Sequence, residues 1–205
     1  MTIECVLFDL GGVLQRLNGL QEFRSMIGVD TEEEMWELWL STPWVRRFER
    51  GECSPGEFAG GLVEDLALEC SPGEFLARFE TWPGRFYDGA ETLVREVETR
   101  CPTACLSNTN TLHWSQVLEP DGVGRLFPTR FLSFEIGLVK PDRAAYGHVL
   151  EVLSLPPASV LFIDDNRLNV EGARACGMSA ELARGPAEAR AVLASHALAE
   201  ARIDL

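Results

Sequence analysis

The segment Val6-Leu7-Phe8-Asp9-Leu10-Gly11-Gly12-Val13-Leu14 is an apolar run that ends in a carboxylate and a pair of glycines. Few folds suit it. A short, continuous apolar stretch bounded by a turn signal reads as a strand buried on both faces, the kind found in parallel sheets covered by helices. Open α/β sheets place ligands outside the carboxyl ends of such strands, at a topological switch point. Glycines directly after the acid let the main chain approach an anion with its N–H groups turned inward. One strand-ending Asp is equally well explained as a turn former or a helix cap. Two later runs repeat the design, Cys105-Leu106-Ser107-Asn108 and Val160-Leu161-Phe162-Ile163-Asp164-Asp165-Asn166. Three buried strands that deliver polar groups from the same kind of end predict one shared site.

Strands are predicted near 3–8, 103–106, 130–134 and 160–163, with a weaker one at 178–182. Helical patterns lie between them at 90–98, at 141–153 and at 170–176, the last stopped by Gly177 as a C-cap. This alternation predicts βαβ units, hence a Rossmann-like parallel sheet with helices on both faces. Between Leu17 and Trp82 the alternation breaks, and the stretch reads as wholly helical. It carries four of the five tryptophans, Trp36, Trp39, Trp44 and Trp82. Ser54-Pro55-Gly56-Glu57-Phe58 and Ser71-Pro72-Gly73-Glu74-Phe75 are the same pentapeptide. Each has a capping Ser, a Pro for the first helical position and a Glu three residues after the Ser, as in a capping box. Thr31-Glu32-Glu33-Glu34 supplies a third start. The chain is therefore expected to divide into an α/β core of residues 1–16 and 85–205 and an inserted, all-helical cap of residues 17–84.

A length of 205 residues with 46% apolar and 24% charged residues suits one substantial core plus a small accessory domain. The net charge of −14 argues against nucleic-acid phosphates and an anionic membrane surface as partners. A small phosphorylated substrate is compatible with it, because local cations override a negative global field. No apolar run approaches the ~20 residues of a membrane span, and a cleavable leader before the first strand is not expected. None of the six cysteines falls in a C-x-x-C pair, so reduced thiols in the cytoplasm are expected rather than a disulfide framework or zinc site. Oligomeric state is not legible; a monomer is compatible with the sequence.

Lys140 is the sole lysine among 18 cationic residues. It lies in Gly137-Leu138-Val139-Lys140-Pro141-Asp142, at the mouth of a predicted helix, where a cation is disfavoured unless an anion is near. A compact ammonium on a flexible stem suits a point contact to a phosphoryl oxygen or a carboxylate. Asp164 and Asp165 would repel each other beside Asp9 unless a cation held them, and such oxygen donors suit Mg²⁺. The competing reading is an Asp pair that caps a helix. Ser107 and Asn108 add a hydroxyl and main-chain N–H groups at the neighbouring strand end, suited to binding an oxyanion. Neither His113 nor His148 has the sequence context of a hydrolase base.

Taken in order, Phe8–Val13, Leu106–Asn110, Gly137–Asp142 and Phe162–Asn166 resemble the four motifs of the haloacid dehalogenase superfamily, with a helical cap between the first and second. The Ser107-Asn108-Thr109-Asn110 run, the Asp164-Asp165-Asn166 turn and Glu49-Arg50-Gly51-Glu52 are closest to its α-D-glucose-1-phosphatase-like branch. The resemblance implies that Asp9 is a nucleophile forming an aspartyl-phosphate. It implies Mg²⁺ on Asp9, the Gly11 carbonyl and Asp165, with Asp164 as a further or supporting ligand. Ser107 would bond the transferring group, and Lys140 would neutralise it. Gly11, Gly12 and Asn108 are expected to line the phosphoryl site. Gly11 departs from the pattern, because strong phosphatases of the superfamily carry a second Asp there as general acid and base. Water or a cap residue such as Glu49 is then left to supply the proton. Trp44, Arg47, Phe48 and Glu49 are candidate lid residues, with packing inside the cap as their alternative role.

The expected function is hydrolysis of a small phosphorylated metabolite, with a sugar phosphate as one possibility. Two other readings stand beside it. A 2-haloacid dehalogenase would use Asp9 on carbon and need no metal. A non-catalytic phospho-ligand or protein-binding module is permitted by the missing acid.

Overall fold

A computed structural model describes residues 2–200. Seven strands form: β1 (Cys5–Phe8), β2 (Gln15–Leu17), β3 (Pro83–Phe86), β4 (Thr103–Ser107), β5 (Arg130–Leu132), β6 (Val160–Asp164) and β7 (Ser179–Leu182). Five of them make a parallel sheet in the order β5-β4-β1-β6-β7. The chain steps outward from β1 to β4 and β5, then crosses back to β6 and β7. The sequence of crossovers thus reverses beside β1, where such sheets hold ligands.

Residues of β1 alternate between two cores. Val6 and Phe8 pack with Leu93, Val94 and Val97 of α6 (Ala90–Glu98) and with Leu193 of α12 (Gly185–Ser195). Cys5 and Leu7 face Tyr146 and Val149 of α10 (Arg143–Leu153) and Val170 of α11 (Arg167–Ala175). Burial on both faces is why β1 reads as a continuous apolar run, and the expected two-faced α/β core is observed.

Helices α1 (Leu20–Ile27), α2 (Glu32–Ser41), α3 (Pro43–Glu49), α4 (Pro55–Asp65) and α5 (Pro72–Phe79) fill the insertion. All three expected capping boxes form, at Thr31, Ser54 and Ser71. The helices share an aromatic core in which Phe48 stacks on Phe58 with centroids 4.4 Å apart and Phe79 meets Trp82 at 5.0 Å. β2 and β3 pair antiparallel as a two-stranded ribbon that carries the chain into and out of the helices, with Gln15 Nε2 donating to the Gly84 carbonyl at 2.7 Å. That ribbon brackets the stretch between Leu17 and Trp82, whose elements are all helices, as expected.

Three boundaries differ from expectation. The strand predicted over 130–134 stops at Leu132, because the Ser133 hydroxyl exchanges two hydrogen bonds with the backbone of Thr109 and bends the chain into a helical turn, α9 (Ser133–Ile136). α10 starts at Arg143, after Pro141. α11 starts at Arg167 because the Asn166 side chain caps the Leu168 N–H. Short helical turns α7 (Thr111–His113) and α8 (Val123–Leu126) complete the core. All six cysteines are unpaired thiols, and among the described residues no helix is long and apolar enough to cross a membrane.

Candidate active site

In-register pairing sets Phe8 opposite both Cys105 and Ile163, so Asp9, Ser107 and Asp164 emerge together at the carboxyl edge of β1, β4 and β6. Lys140 enters from the loop before α10 and is 1% exposed. An ammonium that deep is tolerated only when paired. Its Nζ lies 2.7 Å from Asp9 Oδ1 and 2.6 Å from Asp164 Oδ2. Burial alone lowers a lysine's pKa, but Asp164 and Asp9 outweigh it and hold the ammonium above its usual range. The sole lysine is thus buried in a cluster of acids and is no surface residue.

The supporting groups are as specific. Asn108 accepts from the Lys140 N–H at 2.8 Å and donates to the Lys140 carbonyl at 3.0 Å, which fixes the loop. Asp164 Oδ1 accepts from the Asn166 N–H and the Asn169 amide; Oδ2 accepts from Lys140 and again from Asn169. With both oxygens so engaged, Asp164 serves chiefly to hold Lys140. Since Asn166 caps α11, the adjacent acids are no capping pair.

Asp9, Asp164 and Asp165 each offer a carboxylate oxygen, and these atoms all lie within 4.8 Å of one another. Burial pushes Asp9 up to about 7 against the pull of Lys140. Burial, then Asp164 and Asp9, push Asp165 well above the ordinary carboxylate range. Three acids and one lysine leave two negative charges uncompensated when all are ionised. An all-oxygen donor set with that deficit fits Mg²⁺.

Gly12 sits at φ +72°, and a Cβ there would lie 2.0 Å from Asp165 Oδ2. Only glycine lets the loop and that carboxylate share the space. Its N–H donates to the Gln15 carbonyl, so the expectation that Gly12 binds substrate is corrected: it makes room for Asp165. Gly11 lines the site with no positive φ, and a Cβ there would press on Leu17 at 3.1 Å. Asn108 lines the site too, and its side-chain atoms serve the Lys140 loop, which leaves its main chain for the expected substrate contact.

A cavity of about 960 Å³, including its open mouth, runs from Asp9, Ser107, Lys140 and Asp165 up between the cap helices. Glu49 lines it from α3. It is buried, accepts from Trp39 Nε1 at 3.2 Å, and is pushed up to about 7 by burial. Trp44 and Arg47 are absent from the lining, which corrects their lid assignment. The Arg47 guanidinium stacks on Trp44 at 4.6 Å, and Trp44 fits against Gly61, whose missing Cβ would otherwise meet the indole at 1.9 Å. Phe48 is buried in the cap core. Trp39 and His113 line the cavity without having been anticipated. His113 Nε2 pairs with the Phe79 carbonyl at 2.8 Å, and burial lowers the imidazole to about 4, so it is neutral near pH 7.

The profile of haloacid dehalogenase-like hydrolases matches residues 3–177. The chain belongs to that family. A sesquiterpene phosphatase of Aspergillus oryzae is 29% identical over 86% of this chain and 88% of its own length. A phosphatase of Mycobacterium tuberculosis is 29% identical over 89% of this chain and 88% of its own. Among solved structures, a haloacid dehalogenase family enzyme of Bacteroides thetaiotaomicron superposes with a TM-score of 0.67 at 25% identity, covering 89% of this chain and 94% of that one. That structure is a complex with magnesium and inorganic phosphate. An L-2-haloacid dehalogenase of Xanthobacter autotrophicus, at 23% identity and TM-score 0.60, shares the fold.

Proposed function

We propose that this chain is a Mg²⁺-dependent phosphatase that works through an aspartyl-phosphate on Asp9. The observation that carries the reading is the buried Lys140 shared between Asp9 Oδ1 and Asp164 Oδ2 beside Asp165. Lys140 holds one Asp9 oxygen, which orients the carboxylate and leaves the other oxygen for in-line attack on phosphorus. Asp9, Asp165 and the Gly11 carbonyl are the donors for Mg²⁺, with Asp164 behind them. Bound Mg²⁺ supplies positive charge against the phosphoryl oxygens and orients the group. Ser107, buried at the end of β4, offers a hydroxyl to a phosphoryl oxygen. A dehalogenase needs no divalent cation, and three clustered acids are then unexplained.

The departing alkoxide needs a proton, and Gly11 has none to give. Glu49 is the cap carboxyl that lines the same cavity, and its raised pKa keeps a substantial protonated fraction near neutral pH. It is the proton donor in this reading, held by Trp39 with Lys140, Arg46 and Asn108 nearby. In the second half-reaction its carboxylate takes a proton from the water that cleaves the acyl phosphate, restoring Asp9. The finer assignment to an α-D-glucose-1-phosphatase-like branch rests on the motif runs at 107–110, 164–166 and 49–52 alone. Borohydride trapping during turnover of p-nitrophenyl phosphate tests the scheme. An acyl phosphate at Asp9 is reduced to homoserine at position 9; an unmodified Asp9 after rapid quenching during active turnover rejects covalent catalysis.

A further inference from the structure

The cavity above Asp9 is built in two chemically different parts. Its charged groups, Asp9, Lys140, Asp165 and Glu49, gather where β1 and β6 end beneath α3. Beyond them the wall is supplied by Leu20, Phe23, Met35, Trp36, Trp39 and Leu40, and it continues over Phe79 and Trp82. No arginine lines the cavity among the described residues; Arg46 and Arg50 turn to Asp142 and Arg47 to Trp44.

Most polar side-chain atoms in the apolar part are already used. Gln15 Nε2 donates to Gly84, both ring nitrogens of His113 are engaged by Phe79 and Asn110, and Trp39 Nε1 donates to Glu49. Trp82 Nε1 has no partner and is sealed from solvent. A polyhydroxylated ligand entering there would lose its water and find few donors or acceptors in exchange, which is costly. A hydrocarbon would lose nothing but water.

We propose that this cavity receives the apolar alcohol portion of a phosphate monoester, an alkyl, isoprenoid or aryl group, with its phosphoryl group at Asp9 and Lys140. The assignment rests on the phosphatase reading for the phosphoryl end and on the cavity wall for the other. It runs against a sugar phosphate as substrate.

The test is a homologous series of n-alkyl phosphates, methyl to octyl, assayed with Mg²⁺ for kcat/KM. Each methylene that enters the apolar part raises kcat/KM roughly two- to fourfold, up to a plateau when the wall is covered. Glucose, ribose and nucleoside phosphates fall below the hexyl ester. Leu40→Gln, at a half-buried position on the wall, lowers the octyl-to-methyl ratio measured within that one variant. A flat series, or a sugar or nucleoside phosphate that exceeds the octyl ester, overturns the proposal while leaving the phosphatase reading intact. Binding of the matching n-alkyl phosphonates, followed by tryptophan fluorescence in the presence of Mg²⁺, separates the two failures. If no ester, p-nitrophenyl phosphate included, is hydrolysed and phosphonate affinity still climbs with chain length, the phosphatase reading fails and the cavity assignment stands. Phosphonate affinity that does not change with length overturns the cavity assignment whatever the turnover.

Discussion

A single ammonium holds two carboxylates 2.6 and 2.7 Å away in a space with 1% exposure, and an arginine does not fit that arrangement. Lys140→Arg keeps the charge but replaces a point donor by a planar fork. The expected result is a fall of at least about tenfold in kcat/KM, equivalent to ~1.4 kcal/mol of transition-state stabilisation, with circular dichroism unchanged. A wild-type value would remove the lysine from the chemistry. Glu49→Gln tests the proton donor. Loss should reach ~10²-fold for alkyl phosphates, which need the leaving oxygen protonated, and be slight for p-nitrophenyl phosphate, which does not. Equal losses on both would make Glu49 a packing residue. Asp9, Lys140 and Asp165 were legible in the sequence because each carries a local mark: a strand end, a unique residue type, an acid pair before a helix. Trp39 and His113 carried none. They sit on helical segments whose inward face is decided by packing against Phe79 and Trp82, and Trp44 was the more conspicuous choice only because an arginine lies near it.

Asp142, at the mouth of α10, ties the cap to the core by accepting from Arg46 and from Arg50, both at the end of α3. Glu33 with Arg167 and Glu32 with Arg184 tie α2 to the opposite side. Side-chain exposure in these pairs runs from 25% at Arg46 to 64% at Arg167, so each contributes modestly by itself. Asp142→Ala removes one carboxylate from two arginines at once, and the expected cost to closure is about 1 kcal/mol, a roughly fivefold rise in KM. Raising the salt concentration should weaken the wild type towards the variant and affect the variant less. A variant with unchanged KM at low salt would mean that closure does not depend on this contact. At this scale the helix starts were readable, because a capping box is encoded within four residues. The β2–β3 ribbon was not. Its strands are three and four residues long, one begins with Pro83-Gly84, and their pairing joins positions some 70 residues apart, as in Gln15 with Phe86.

The whole molecule carries a net charge of −14, yet its buried charges are what should govern its pH dependence. Asp9 and Glu49, both raised to about 7, and Asp165, raised in the same direction, hold protons in the folded chain that the unfolded chain gives up near pH 4. Where the native state binds more protons, unfolding free energy falls as pH rises. The contribution of Asp9 and Glu49 is complete below about pH 4 and is lost as pH climbs through 7, and Asp165 acts in the same direction. His113, lowered to about 4, opposes them between there and its usual 6.5, because the unfolded chain is then the better proton binder. Three acids against one histidine leave a downward slope between pH 4.5 and 6.5, and from 6.5 to 7 the acids act alone. Lys140, raised from an already high value, is protonated in both states across this window and adds no slope. Exposed carboxylates lowered by their caps, such as Glu57 and Glu74, act below pH 4.5. In chelator, therefore, the urea midpoint should decline from pH 5 to 7. Saturating Mg²⁺ adds the linkage energy of a ligand bound only by the folded state. It also keeps Asp9 and Asp165 ionised throughout, which deletes their share of the slope. What remains is Glu49 against His113, two opposed single protons, so the midpoint in Mg²⁺ should be higher and nearly level over pH 5 to 6.5. Glu49→Gln should then turn the Mg²⁺ curve upward over that range, since only the histidine is left. Parallel declines with and without the ion would mean that Asp9 and Asp165 do not meet on a cation, and the metal assignment would fall with them.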